Sequence, residues 1–235
     1  MSELIVHEIP DTWGLPSVGP FCLKLETWLR MVDIPYRAVI DATPFGGPKR
    51  KLPWIEHEGN KLGDSGLIIE YLEKRLERSA DASLSASERS VGHALRRLIE
   101  ENLYWTMVYD RWMVEKNWPV ARKVILGRVP AAARPIIAPI ARRGVRKQLE
   151  AHGIGRHSRE EIHAIGRADV GAIAEVLGDK PFLMGGAPSQ IDAVAYGLLA
   201  NIALVPIESP VRDEIQGRRK LMSYIERIRE RYFAR

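Results

Sequence analysis

Apolar positions change their spacing several times along the first third of the chain, and each change marks an element. Leu4 to Ile9 is a short apolar run rich in β-branched residues and predicts a strand, which ends in a turn-forming stretch from Pro10 to Pro20 holding three prolines and two glycines. From Phe21 to Val32 the residues Leu25, Trp28, Leu29 and Val32 recur at steps of three and four, predicting an amphipathic helix with Pro20 in its first turn. Pro35 interrupts that pattern, Tyr36 to Ile40 predicts a second strand, and the Pro/Gly-rich segment Thr43 to Pro48 predicts a loop. Leu52 to His57 and Lys61 to Leu62 flank Glu58, Gly59 and Asn60, which predicts a hairpin turned at Gly-Asn. A second amphipathic helix is predicted from Ser65 to about Arg78.

After a polar linker at Ser79 to Ser85, helical spacing dominates. It predicts helices over Glu88 to about Lys116, Arg143 to Glu150, Arg159 to Leu177, Ser189 to Ala203 and Asp213 to Glu230. Ser189-x-x-Asp192 is a variant of the capping box opening an apolar helix, a stability device rather than a catalytic site. Trp118 to Pro139, with four prolines among small apolar residues, receives no element from this reading. The pattern divides the chain into a mixed α/β domain over 1–78 and an all-helical domain over 86–235. A length of 235 residues accommodates both.

Composition narrows the class. Hydrophobic residues at 46% and charged residues at 28% fit an ordinary globular protein and exclude a disordered or fibrous one. The net charge of +5 is concentrated at Arg142, Arg143, Arg146 and Lys147 and at Lys49, Arg50 and Lys51. Neither cluster carries an aromatic-glycine pattern, zinc-finger spacing or recognition helix, so the chain is read as having no nucleic-acid partner. Cys22 is the single cysteine, which excludes an intrachain disulfide and fits a reducing compartment. The first residues do not read as a secretory signal, and no apolar stretch approaches a bilayer span, so the expected location is the cytoplasm.

Four stretches in order carry a family resemblance: Gly19-Pro20-Phe21-Cys22-Leu23-Lys24, Lys51-Leu52-Pro53-Trp54-Ile55, Gly63-Asp64-Ser65-Gly66-Leu67-Ile68, and Pro181-Phe182-Leu183-Met184-Gly185 running into Pro188-Ser189-Gln190-Ile191-Asp192. Together they resemble the glutathione transferase superfamily. Glu100 to Trp112 and Gly153 to Ser158 resemble its failed-axon-connections and metaxin-like branch. The resemblance implies a thioredoxin-like N-terminal domain with a mixed four-stranded sheet and a C-terminal helical bundle. It implies glutathione as co-substrate, a small hydrophobic electrophile as second substrate, and a homodimer.

The site residues follow from that resemblance and from the chemistry of glutathione. An extended γ-glutamyl tripeptide can pair with main-chain groups beside a cis proline, which here means Leu52 and Pro53. Asp64 and Ser65 stand where a strand enters a helix; Ser65 is expected to cap that helix, its N–H groups to attract the γ-glutamyl carboxylate, and Asp64 to hold the ammonium group. Lys51, with Arg50 behind it, is placed to reach the glycine carboxylate, although a Lys-Arg run is as readily a solvated loop.

Transferases of this family activate the thiol with a hydrogen-bond donor near the first helix, and the position aligned with that donor is Gly19, which has no side chain. Three replacements are available: the Ser17 hydroxyl, the Cys22 thiol, and backbone N–H groups at the helix start. Trp13 is expected to wall the site. Tyr109 and Arg111, from an aromatic-rich helix, are expected to touch the electrophile. The leading reading is a glutathione transferase. Beside it stand a non-catalytic glutathione-binding or scaffold protein, thiol-disulfide exchange through Cys22, and peripheral contact with anionic membranes through Arg142 to Lys147.

Overall fold

Strands β1 (Ile5–Glu8), β2 (Arg37–Ile40), β3 (Trp54–His57) and β4 (Asn60–Gly63) form one mixed sheet in the order β2-β1-β3-β4 in a computed structural model, which describes residues 3–41 and 44–234. β1 and β2 are parallel, with Ile5 opposite Arg37, and the β1–β3 and β3–β4 pairs are antiparallel. A parallel pair requires a crossover, and α1 (Pro20–Met31) supplies it. The apolar stripe of α1 places Leu25, Trp28 and Leu29 against Leu4, Val6 and Ile55, and α2 (Ser65–Leu76) adds Ile68, Ile69 and Leu72 to the same buried cluster.

The hairpin turn sits one residue earlier than Gly-Asn. Glu58 and Gly59, at φ 50° and 79°, are its two central residues, and Asn60 already pairs with His57. Such a turn requires positive φ at both central positions, and the glycine takes the second. In the expected loop from Thr43, that residue lies outside the described residues; a short 3-10 turn follows over Pro44–Gly46.

The helical region contains α3 (Ala86–Arg97), a π-helical turn over Leu98–Leu103, α4 (Tyr104–Trp112), α5 (Trp118–Ile125), α6 (Arg134–His152), α7 (Arg159–Leu177), α8 (Gln190–Ala203), α9 (Pro210–Gly217) and α10 (Arg219–Phe233). α3, the π-helical turn and α4 follow one another without a break and stop at Trp112, short of Lys116. The stretch left without an element holds α5 and the first part of α6. Pro119 and Pro135 occupy the first turns of these helices, where a missing N–H breaks no bond. The helix expected over Asp213 to Glu230 is split at Arg218, whose backbone is extended.

α8 is buried along its length and packs on α1. Gly197 permits this: a Cβ there would come within 2.6 Å of the Pro20 carbonyl oxygen and 3.0 Å of the Lys24 nitrogen. At the start of α8 the capping box is present and extended. Asp192 Oδ2 accepts from the Ser189 N–H and hydroxyl, and Oδ1 accepts from the Leu183 N–H and the Tyr224 hydroxyl, at 2.8–2.9 Å. Four donors around one buried carboxylate fasten α10 and the Phe182–Gly185 turn to α8.

Glu8, buried at the end of β1, has its carboxyl pushed up from 4.5 to about 8, by burial first and by the Glu26 charge second, with Arg30 opposing. The folded state therefore holds a proton that the unfolded chain has released, and this group makes stability fall as pH rises from about 4.5 towards about 8. Glu8→Gln is expected to leave stability little changed near pH 4 and to raise it by about 3 kcal/mol near pH 9, measured by urea denaturation. Equal effects at both pH values would contradict the assignment.

Candidate functional site

The antiparallel register brings the separate motifs to one end of the sheet. Trp54 pairs with Gly63, so Leu52-Pro53 and Asp64-Ser65 continue side by side beyond the ends of β3 and β4. His7 pairs with Trp54, so the loop leaving β1 emerges at that end too.

That loop is tied down by its own polar groups. Trp13 and Gly14, at φ 56° and 76°, turn the chain between Thr12 and Leu15, which exchange two main-chain hydrogen bonds. Trp13 is half-buried and packs against the helical core. Ser17 is fully buried; its hydroxyl donates to the Ile9 carbonyl at 3.0 Å and accepts from the Gly19 N–H at 3.3 Å. Its hydrogen-bonding capacity is therefore engaged inside the loop.

A side chain at Gly19 would also point inward, since a Cβ there would lie 2.8 Å from Ile9 Cδ1 and 3.2 Å from Cys22 Sγ. Gly19, which stands at the position of the thiol-activating donor, therefore has the protein interior as its side-chain direction. Cys22 is buried, and burial pushes its thiol up to about 12. It is a protonated, packed thiol rather than a nucleophile.

Leu52-Pro53 is a cis peptide, with Pro53 buried and Leu52 half-buried. The Leu52 main-chain N–H and C=O enter no hydrogen bond among the described residues. Lys51 is exposed beside them. At α2 the two motif residues exchange the expected roles. Asp64, at φ 86°, is the cap, its Oδ1 accepting from the Gly66 N–H at 2.9 Å and the Leu67 N–H at 3.2 Å. Ser65 is left with a hydroxyl and an N–H that have no partner among the described residues. A positive φ on a non-glycine residue is costly, and here it turns the chain sharply into the helix.

Beneath this point lies a charged cluster that the sequence reading missed. Lys24 of α1 and Glu100 of the π-helical turn are buried and paired at 2.5 Å, and Arg96 of α3 donates through Nε to the other Glu100 oxygen at 2.8 Å. A Cβ built on Gly66 would fall 2.0 Å from Arg96 Nη2, so the guanidinium lies against the first turn of α2. Its Nη groups form no hydrogen bond among the described residues. Burial lowers the Lys24 pKa, opposed by the Glu100 charge. The available signal was Lys24 itself, a cation on the interior face of an amphipathic helix, four residues before Trp28.

Among the aromatic residues, Tyr104 rather than Tyr109 reaches this end of the molecule. Tyr104 meets Phe21 with ring centroids 4.9 Å apart, and with Pro20, Lys24 and Glu100 it lines a shallow hollow. Its hydroxyl is unpaired among the described residues, and burial raises its pKa, so it is a neutral phenol. Tyr109 packs edge-on to His163 of α7, at 6.2 Å. Arg111, expected to touch substrate, is buried: Nη1 donates to the Val18 carbonyl at 2.8 Å, and Nη2 to Asn201 O and Oδ1 at 2.7 and 2.9 Å. It ties the loop to α8.

Known proteins agree with this architecture. Residues 20–117 match the glutathione S-transferase N-terminal domain and residues 166–228 the glutathione S-transferase C-terminal domain. The isoprene-epoxide–glutathione S-transferase of Rhodococcus sp. (strain AD45) is 32% identical over 97% of this chain and 99% of that protein. The glutathione transferase GSTFuA3 of Phanerochaete chrysosporium superposes with a TM-score of 0.69 at 16% identity, over 99% of this chain and 98% of that one. The chain belongs to the glutathione transferase family. Within it, the chain is similar to Failed axon connections of Drosophila melanogaster, 35% identical over 98% of this chain, and to mouse Metaxin-1, 26% identical over 95%. It spans 58% of the length of the former and 73% of the latter.

Burial of Cys22 sets an expected outcome. In the native protein the thiol should resist a disulfide reagent at pH 8 and react only on unfolding, with a rate that tracks opening rather than reagent concentration. Immediate reaction in the native state would restore thiol-disulfide exchange as a reading.

Proposed function

We propose that the protein binds glutathione at the joined ends of β3, β4 and α2 and transfers it to a small hydrophobic electrophile of the epoxide type. The observation that carries this is a set of unused donors at the start of α2: the Ser65 hydroxyl and N–H, and the Nη groups of Arg96, one of which lies against the neighbouring Gly66, have no partner among the described residues. Lys24 and Arg96 share the buried anion Glu100, with the Asp64 carboxylate acting on both, and the Arg96 Nη groups offer charge-assisted donors to a ligand carboxylate. The free main-chain groups of Leu52 suit the extended cysteinyl portion of the tripeptide. Asp64 Oδ2 is open to the γ-glutamyl ammonium, and exposed Lys51 to the glycine carboxylate.

No side chain from Ser17 to Gly19 is directed at the thiol, so the N–H groups of Phe21 and Cys22 in the first turn of α1, which have no partner among the described residues, stabilise the thiolate instead. The thiolate sulfur attacks an epoxide carbon and forms the C–S bond as the C–O bond breaks. The neutral Tyr104 hydroxyl gives its proton to the departing oxygen, and solvent restores it. The relative named for an isoprene epoxide supports this substrate class. A second reading, a glutathione-binding protein without turnover, is favoured by the inward direction at Gly19 and by the likeness to Failed axon connections and Metaxin-1.

Calorimetry with glutathione on the native chain is expected to show binding that weakens about tenfold or more in Ser65→Ala and in Arg96→Gln, with thermal melting as the control for folding. Absence of binding to the native chain would overturn both readings. Tyr104→Phe is expected to lower kcat towards a small epoxide by about 100-fold while leaving glutathione affinity unchanged. Binding without turnover in the native chain would select the second reading.

A further inference from the structure

Residues 118–147 contain eight Lys and Arg and no Asp or Glu, more charge than the net +5 of the chain, so the remainder is net acidic. This stretch covers α5 and most of α6. α6 is seated through Ala138 and Leu149, which are buried, and through Arg142, which donates to the Trp112 and Met113 carbonyls and to the Glu115 carboxylate. Arg142 therefore belongs to the inner side of the helix.

On the opposite side, at helical steps of four, three and four, stand Ile136, Ile140, Arg143 and Lys147. Ile136 is 66% exposed and Ile140 64%, with Ile137 at 38% beside them. Large aliphatic side chains so open to water are scarce elsewhere on this chain. Arg143, Arg146 and Lys147, and Arg122 and Lys123 of α5, form no salt bridge among the described residues.

An apolar tip continued by unpaired cations along one helix face matches one kind of partner: a surface with anionic groups above hydrocarbon. A second copy of the chain would bring these like charges together. A nucleic acid would use the cations but not the isoleucines, and this face has no aromatic ring on which a base could stack. We propose that the outer face of α6 docks on an anionic lipid bilayer, with Ile136 and Ile140 entering the acyl boundary and Arg143 and Lys147 meeting headgroup phosphates. Arg146, on the same helix, adds longer-range attraction within the Debye length. No helix among the described residues is long and apolar enough to cross a membrane, and the docking concerns its surface alone. Independently of the reaction assigned above, it would hold the protein where apolar small molecules concentrate.

The test is co-sedimentation of the whole protein with phosphatidylcholine vesicles, with and without about one-third phosphatidylserine, at about 0.05 M and about 0.5 M salt. Binding is expected to require phosphatidylserine and to weaken at least tenfold at the higher salt. The pair Arg143→Glu and Lys147→Glu is expected to weaken it by about 30-fold or more, and the pair Ile136→Ser and Ile140→Ser by about tenfold with the salt dependence retained. All four side chains are exposed, so unchanged melting temperatures are expected and would separate loss of docking from loss of fold. No binding to anionic vesicles at low salt, equal binding to neutral ones, or native-like binding by both pairs would overturn the proposal. So would nucleic-acid binding that ignores the isoleucine pair, or a dimer that this pair disperses.

Discussion

A guanidinium buried with no carboxylate partner among the described residues holds the candidate site in place. Among the described residues Arg111 is hydrogen-bonded to the carbonyls of Val18 and Asn201 and to the Asn201 side chain, whose amide in turn donates to the Ser17 carbonyl at 3.2 Å. Burial lowers its pKa to about 10, still well above neutrality, so the cation persists. A buried charge is tolerable only where hydrogen bonds offset its lost hydration; here both Nη groups are met, while Nε has no partner among the described residues, and the acceptors come from two segments distant in sequence from each other and from α4. The loop before α1 is thereby fixed from the helical side, and with it the direction of the first turn of α1. Removing the side chain would leave carbonyls of two segments without donors at once.

Around that tie the two halves meet through backbone rather than through a loose polar surface. Gly197 lets α8 approach Pro20 and Lys24 more closely than any side chain would allow, and Ala193 of the same helix joins the core beneath the sheet. The charged cluster crosses the same boundary, with Lys24 on α1 and Arg96 and Glu100 on the helices behind. A ligand carboxylate held between Ser65 and Arg96 would therefore touch both halves, and its affinity depends on their fixed relation.

Period and punctuation made the element order of the sheet domain legible, because each switch between strand and helix spacing coincides with proline or glycine. The capping box at Ser189 and Asp192 was legible for the same reason, being local in sequence. Direction of side chains was not. Ser17 and Arg111 are of the right chemical types near the right motifs, yet each faces the interior, and what decides this is the crossing of α1, α4 and α8. The π-helical turn had no mark in the apolar pattern, and it moves Glu100 and Tyr104 to the cluster and the hollow. Pro119 and Pro135 misled because proline in a first helical turn resembles proline in a loop, and Pro139 because it stands inside α6.

The π-helical turn has a bearing on how such a chain can vary over time. It holds an extra residue in the rod formed by α3 and α4, so losing one residue between Leu98 and Leu103 would rotate everything after it by about 100°. Arg111 would then swing away from Val18, and Tyr104 away from Phe21. Point changes on the exposed faces of this rod are cheap, whereas changes in its length reorganise the interior in a single step. Descendants of this sequence should accordingly diverge in letters along 98–112 while keeping the count.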